Sequence, residues 1–216
     1  MFKLGGYMKK SKKLIIVSLV ILVGVFAFFN QTKTSQAHTD TVDLSTNVQE
    51  YISFTLTSGD TPAFGNLTPG TPICYNTGTV ASVTTNSANG YTLGLSDTIA
   101  STNSALVHTD TTTYITDYAG TIATPTAWTG TGLGATNYAA DDTHKNAKWG
   151  AGTTVCDVSN KYAGIPETAT TAHTVTGYHA SADTSGWGFK VDVPNTQKTG
   201  AYAGTATFTA TAVLTP

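Results

Sequence analysis

The sequence predicts an all-β protein, an antiparallel Ig-like β-sandwich that follows an N-terminal signal helix. Thr makes up about a fifth of the 216 residues and Gly supplies 21 more, a composition rich in strand and turn formers and poor in helix formers. Several stretches alternate apolar and polar residues with the period of two that belongs to a strand. Clusters of Gly, Pro and Asn separate those stretches, as turns between strands require. With 40% hydrophobic and 11% charged residues, the chain has enough apolar content for one well-cored domain.

The first 37 residues read as a signal peptide. Lys9, Lys10, Lys12 and Lys13 form a basic start, Leu14 to Phe29 an apolar core, and Ser35-Gln36-Ala37 a small-residue cleavage site. The alternative is an uncleaved membrane anchor, because the apolar run falls between a signal core and a full span of about 20 residues. Cleavage leaves residues 38–216 as a single domain carrying five lysines, thirteen acids and no arginine, a net charge near −8. Nothing there offers a basic stripe for phosphates, which excludes nucleic acid as a partner.

Along residues 38–216, "NVQEYISFTLTSGD" sets Val48, Ile52, Phe54 and Leu56 against Gln49, Ser53, Thr55 and Thr57, and Gly59-Asp60 ends this first strand. "TPAFGNLTPGTPICYNTG" is a sheet-crossing loop with Phe64 and Leu67 as apolar plugs. "GTVASVTTNSANGYTLGLS" reads as a hairpin, its tight connection supplied by Asn89-Gly90. Between about residues 99 and 185 the pattern weakens into short strands and long surface loops. It sharpens in "GWGFKVDVP", where Trp187, Phe189, Val191 and Val193 share a face until Pro194. The closing run "GAYAGTATFTATAVLTP" puts Thr205, Thr207, Thr209 and Thr211 on one face and Tyr202, Ala206, Phe208 and Ala210 on the other. That run has no Lys or Pro between Ala201 and Leu214, so it is either a central strand or an edge meant to pair.

Cys74 and Cys156 have no CxxC spacing, and behind a secretion signal they read as a structural disulfide, with two separate thiols as the alternative. Five histidines, His38, His108, His144, His173 and His179, show no metalloprotease spacing, and Ser185 with His179 and Asp183 lacks a nucleophile-elbow context. The chain is therefore read as a non-enzyme without cofactor or metal; Asp141, Asp142, Asp157 and Asn137 offer oxygens for Ca²⁺ but lack an EF-hand spacing, so solvated loop acids are the preferred reading. Trp128 in "TAWTGTG" and Trp149 in "AKWGAGT" sit among turn residues and are the candidates for a glycan or partner surface. Trp187, on an alternating strand, belongs to the core.

The order "FGNLTPGTP", "TGTVASVTTNSANGYTLGLS", "KWGAGT" and "VDVPNTQKTGAYAGTATFTATA" resembles the spore coat protein U type of secreted domain, itself similar to chaperone/usher pilin subunits. The matching positions are Phe64-Gly65, Gly78-Thr79-Val80, Gly90-Tyr91, Trp149-Gly150 with Gly152-Thr153, and Gly200-Ala201-Tyr202. A weaker resemblance, in the Thr-rich last strand ending near a Pro, runs to WxL-type surface domains. The pilin resemblance implies a donor segment, for which "HTDTVDLSTNVQ" offers Val42, Leu44 and Val48 in register with a strand. The expectation is a secreted or cell-surface structural protein, a coat, pilus-like or surface-layer subunit that contacts itself or other surface proteins through strand edges. The alternative is an extracellular carbohydrate-binding or adhesion module, and contact with a membrane comes only through the signal segment if it stays uncleaved.

Overall fold

A computed structural model describes residues 36–214 apart from Ala100, Thr102 and Asp141. The expected signal segment lies outside the described residues except for Gln36 and Ala37, and among the described residues no helix is long and apolar enough to cross a membrane. Residues 36–47 carry no regular structure and are exposed. From Val48 onward the chain forms a separate unit that holds every strand.

Among the described residues thirteen strands follow in order: β1 (Ile52–Ser58), β2 (Ile73–Cys74), β3 (Thr79–Thr85), β4 (Tyr91–Asp97), β5 (Ser104–His108), β6 (Tyr114–Thr116), β7 (Thr126–Ala127), β8 (Gly132–Tyr138), β9 (Lys161–Tyr162), β10 (Thr170–Val175), β11 (His179–Asp192), β12 (Tyr202–Ala203) and β13 (Ala206–Ala212). A single 3₁₀ turn, Ala147–Trp149, precedes β9. All strand pairs are antiparallel, so the all-β class holds.

The largest sheet is built on β11. Gly186 and Trp187 pair with β3 and with β8 at once, so those two strands take opposite edges of β11. Lys190 and Val191 pair with β2 as well as β8, which puts β2 in line with β3. Strand β1 lies outside β3. A second sheet runs β10-β4-β13, and two smaller ones join β12-β5-β6 and β7-β9. The first two sheets pack face to face: Ala81 and Val83 of β3 and Trp187 and Phe189 of β11 share one buried cluster with Tyr91, Leu93 and Leu95 of β4 and Phe208 of β13. Trp187 meets Phe208 across that core at a ring distance of 5.3 Å. Phe64 and Leu67 are half-buried plugs against the same cluster, as the loop composition predicts.

The stretch read as a hairpin is not one. Strand β3 pairs with β1 and β11, while β4 pairs with β10 and β13, so "NSANG" carries the chain from one sheet to the other. The alternating residues of β3 and β4 face each other as side chains across the core, and alternation alone does not distinguish that arrangement from hydrogen-bonded neighbours. Gly90 is required for a different reason from a hairpin turn. Its φ is +85°, and a Cβ there would lie 2.0 Å from the Val175 carbonyl oxygen.

The closing run divides in two. Tyr202 and Ala203 pair with β5, and after Gly204 the chain crosses to pair Ala206–Ala212 with β4. A Cβ on Gly204 would lie 2.4 Å from the Ala105 carbonyl, which fixes the crossing point. Beyond it the expected faces appear, with Thr207, Thr209 and Thr211 exposed and Phe208 buried.

Cys74 and Cys156 form a disulfide across 82 positions of sequence. It ties β2 to the loop that carries Val155, and Val155 covers the outer side of β11 at Gly188, where a Cβ would lie 2.8 Å from its side chain. In the chain-entropy model a crosslink closing about 80 residues stabilises by at most about 4.5 kcal/mol. Replacing both cysteines by Ser should therefore lower the unfolding free energy by up to about 4.5 kcal/mol and move the urea midpoint down accordingly, and reductant should have the same effect on the wild type. An unchanged midpoint would contradict this placement of the crosslink.

Candidate functional site

A cleft of about 500 Å³ opens where β1 and the loop after it approach the start of β13 and β5. Its wall is apolar, including Leu56, Phe64, Leu106, Phe189 and Phe208, and its lining has two carboxylates, Asp60 and Asp97, with no Lys, Arg or His. Gly59 shapes one side: at φ +62° a Cβ would sit 1.7 Å from the Gly78 carbonyl, so only Gly lets the chain turn there. Gly204 shapes the other, by the close approach to β5 already described.

Asp97 closes β4 and is 6% exposed. Its Oδ1 accepts the Ile99 N–H at 3.2 Å, while Oδ2 is buried without a hydrogen-bond partner. Burial, with help from the nearby Glu167, pushes its carboxyl up to about 6. Asp117, beside it in charge terms, is likewise pushed up to about 6 by burial and by the charges of Asp97 and Glu167. Its Oδ1 accepts the Ile165 N–H at 3.0 Å.

A second polar cluster sits between the two main sheets. Asp183 of β11 accepts the Tyr91 hydroxyl at 2.6 Å through Oδ2, and its Oδ1 lies 3.0 Å from His144 Nδ1. Asp142 accepts the Asn137 amide at 2.7 Å and the His144 backbone N–H at 2.7 Å. His173 is 1% exposed, and neither ring nitrogen has a hydrogen-bond partner; Asp142 Oδ2 lies 3.7 Å from Nδ1. Burial holds His173 below its usual range against the pull of Asp142 and Asp183, and burial with Asp183 holds the Tyr91 phenol far above its own.

Of the triad weighed from the sequence, Asp183 enters this cluster, but Ser185 is buried and accepts the Trp187 indole N–H at 3.0 Å. His179 stacks edge-on to His144 at 5.1 Å. No three His, Cys, Asp or Glu side chains among the described residues are placed to hold a metal ion. Asp157 instead accepts the Thr153 and Ser159 N–H groups and shapes the disulfide loop, and Asp141 lies outside the described residues.

Trp149 presents no surface for a glycan. It is 0% exposed, packs edge-to-face on Trp187 at 5.5 Å and donates its indole N–H to the Ala172 carbonyl. The turn-rich sequence around it hides a core residue, because the 3₁₀ turn drives the ring inward. Trp128 is half-buried, stacked on Tyr118 at 4.4 Å and 9°, edge-on to Tyr162, with the Lys190 ammonium 5.2 Å from its centroid. Its ring is thus engaged by the chain's own groups. Val42, Leu44 and Val48 are all strongly exposed.

No family model matches this chain, and no curated protein does. Among solved structures it is similar to a family 123 glycoside hydrolase from Clostridium perfringens, at 12% identity and a TM-score of 0.31, over 76% of this chain and 25% of the hydrolase.

The buried carboxyls and His173 act oppositely on stability. Between about pH 4 and 6 the folded chain binds protons at Asp97 and Asp117 that the unfolded chain does not, so their contribution falls as pH rises through that window. Below about 6.5 the unfolded chain protonates His173 where the folded chain does not, so its contribution falls as pH drops. Thermal melts from pH 7 to 4.5 should show D97N/D117N losing stability on acidification more steeply than the wild type. Parallel curves would contradict the assignment.

Proposed function

We propose that this chain is a secreted surface protein with an Ig-like sandwich domain, a coat, pilus-like or surface-layer subunit that assembles by pairing strand edges. The observation that carries the reading is β13, which pairs with β4 along Ala206–Ala212 and with no strand on its other side among the described residues. Alternate residues along those seven point their N–H and C=O groups away from β4 and offer them to another chain. The usual guards of such an edge, a Lys, a Pro or an inward charge, are missing from Ala201 to Leu214. Strand β1 is a second open edge, paired only with β3 and exposing Leu56.

The segment around Val42, Leu44 and Val48 supports the same reading, because it is exposed and its apolar residues alternate as an added strand requires. The disulfide and the leader-like N-terminus fit an oxidising exterior. A glycan-binding role gains no support from Trp149, which lies in the core.

Light scattering and negative-stain microscopy of residues 38–216 at rising concentration test the proposal. Ordered oligomers or filaments are expected, and T207K/T211K, which places two charges on the exposed side of the edge strand, should return the protein to monomer with its melting temperature nearly unchanged. Deleting residues 38–47 should weaken assembly. A wild type that stays monomeric throughout would overturn the reading.

A further inference from the structure

We propose that the cleft between β1 and β13 is a binding site for an apolar primary ammonium compound, its hydrocarbon body against Leu56, Phe64, Leu106 and Phe208 and its charged head on Asp97 Oδ2. This goes beyond strand-edge assembly and does not depend on it.

Two independent observations meet here. The first is the cleft itself, whose size of about 500 Å³ and apolar wall are those of a small-molecule site. The second is Asp97, which lines that cleft, is nine-tenths buried and has an Oδ2 that no group of the chain satisfies; that oxygen is itself covered, so seating the head group requires the carboxylate to turn toward the cleft. A buried acceptor left unpaired is costly, so the site favours a ligand that supplies a donor.

Charge selects among donors. The lining carries Asp60 and Asp97 and no cation, and Glu167 and Asp117 add negative charge behind Asp97. An anion is repelled, a neutral alcohol gains a hydrogen bond to the carboxylate, and an ammonium gains that bond together with the attraction of opposite charges. The aromatic rings of Phe64, Phe189 and Phe208 add faces that attract a cation where it is desolvated. The chain's own exposed N-terminal segment has the wrong charge for this cleft, since Asp40 and Asp43 flank Val42.

The test is a titration of the purified protein with n-octylammonium, n-octanol and octanoate, read by calorimetry and by tryptophan fluorescence, to which Trp187 contributes through its contact with Phe208 at the cleft. Octylammonium should bind saturably and most tightly, octanol more weakly, and octanoate not at all. D97N should weaken octylammonium by about ten- to a hundredfold, the worth of a hydrogen bond to a charged group, and weaken octanol far less, since Asn keeps an oxygen acceptor but not the charge. A63W, which fills the cleft from its exposed rim, should weaken both, and the wild-type comparison of three head groups needs no variant to fold. Equal binding of octanol and octylammonium, insensitivity to D97N, or no saturable binding would each overturn the proposal. So would a peptide of residues 38–48 that binds the wild type but not A63W and is not displaced by octylammonium, which would make the cleft a strand acceptor instead.

Discussion

Along its 14 residues β11 hydrogen-bonds to β3 and β2 on one edge and to β8 on the other, while Trp187, Phe189 and Val191 bury their side chains in the core. The residues that alternate with them are Gly186, Gly188 and Lys190, small or long enough for the outer side to be covered as well. Tyr138 lies over Gly186 and Val155 over Gly188, each closer than a Cβ would allow. A strand occupied on both edges and both faces cannot end a sheet, so this sheet has an open edge at β1, and the separate sheet centred on β4 has one at β13. These two strands then flank the cleft, with Leu56 contributed by one and Ala206 and Phe208 by the other.

Strands packed on one face were legible in the sequence. The alternation of β1 and β13 puts Ile52, Phe54 and Phe208 inward as observed, while Val48, read into the same strand face, lies before β1 and is strongly exposed. Strand β8 was not legible, because all seven residues of "GLGATNY" are buried and a strand covered on both faces has no alternation to read. Pairing was less legible than facing. The tight Asn89-Gly90 connection suits a hairpin and an arch equally, and only the second gives β4 its partners β10 and β13. The break at Gly204 hides in an unbroken Thr pattern, since the crossing between sheets keeps the same residues inward.

The site residues were legible only in part. Cys74 and Cys156 were readable by number and compartment. Asp97 was not, since one Asp at the end of an alternating strand looks like a solvated turn residue until the second sheet closes over it. The Asp and His cluster draws Tyr91, Asp142, His144, His173 and Asp183 from four separate segments, so no spacing announces it. Nearby aromatic sequence was misleading for a related reason: Trp149 lies among turn formers, yet the turn exists to bury it.

The buried cluster, the disulfide loop and the glycine contacts brace the inside of the domain, and the Thr-lined edge is left without any comparable restraint. The proposed use of β13 as an assembling edge rests on that contrast. Hydrogen exchange resolved to single amides tests it most directly. In dilute solution the outward amides of β13 and β1 should exchange fast while those of β11 stay protected, and the β13 amides should become protected as concentration rises. Protection of β13 equal to that of β11 at every concentration would contradict an open edge, and fast exchange that never slows would contradict its use in assembly.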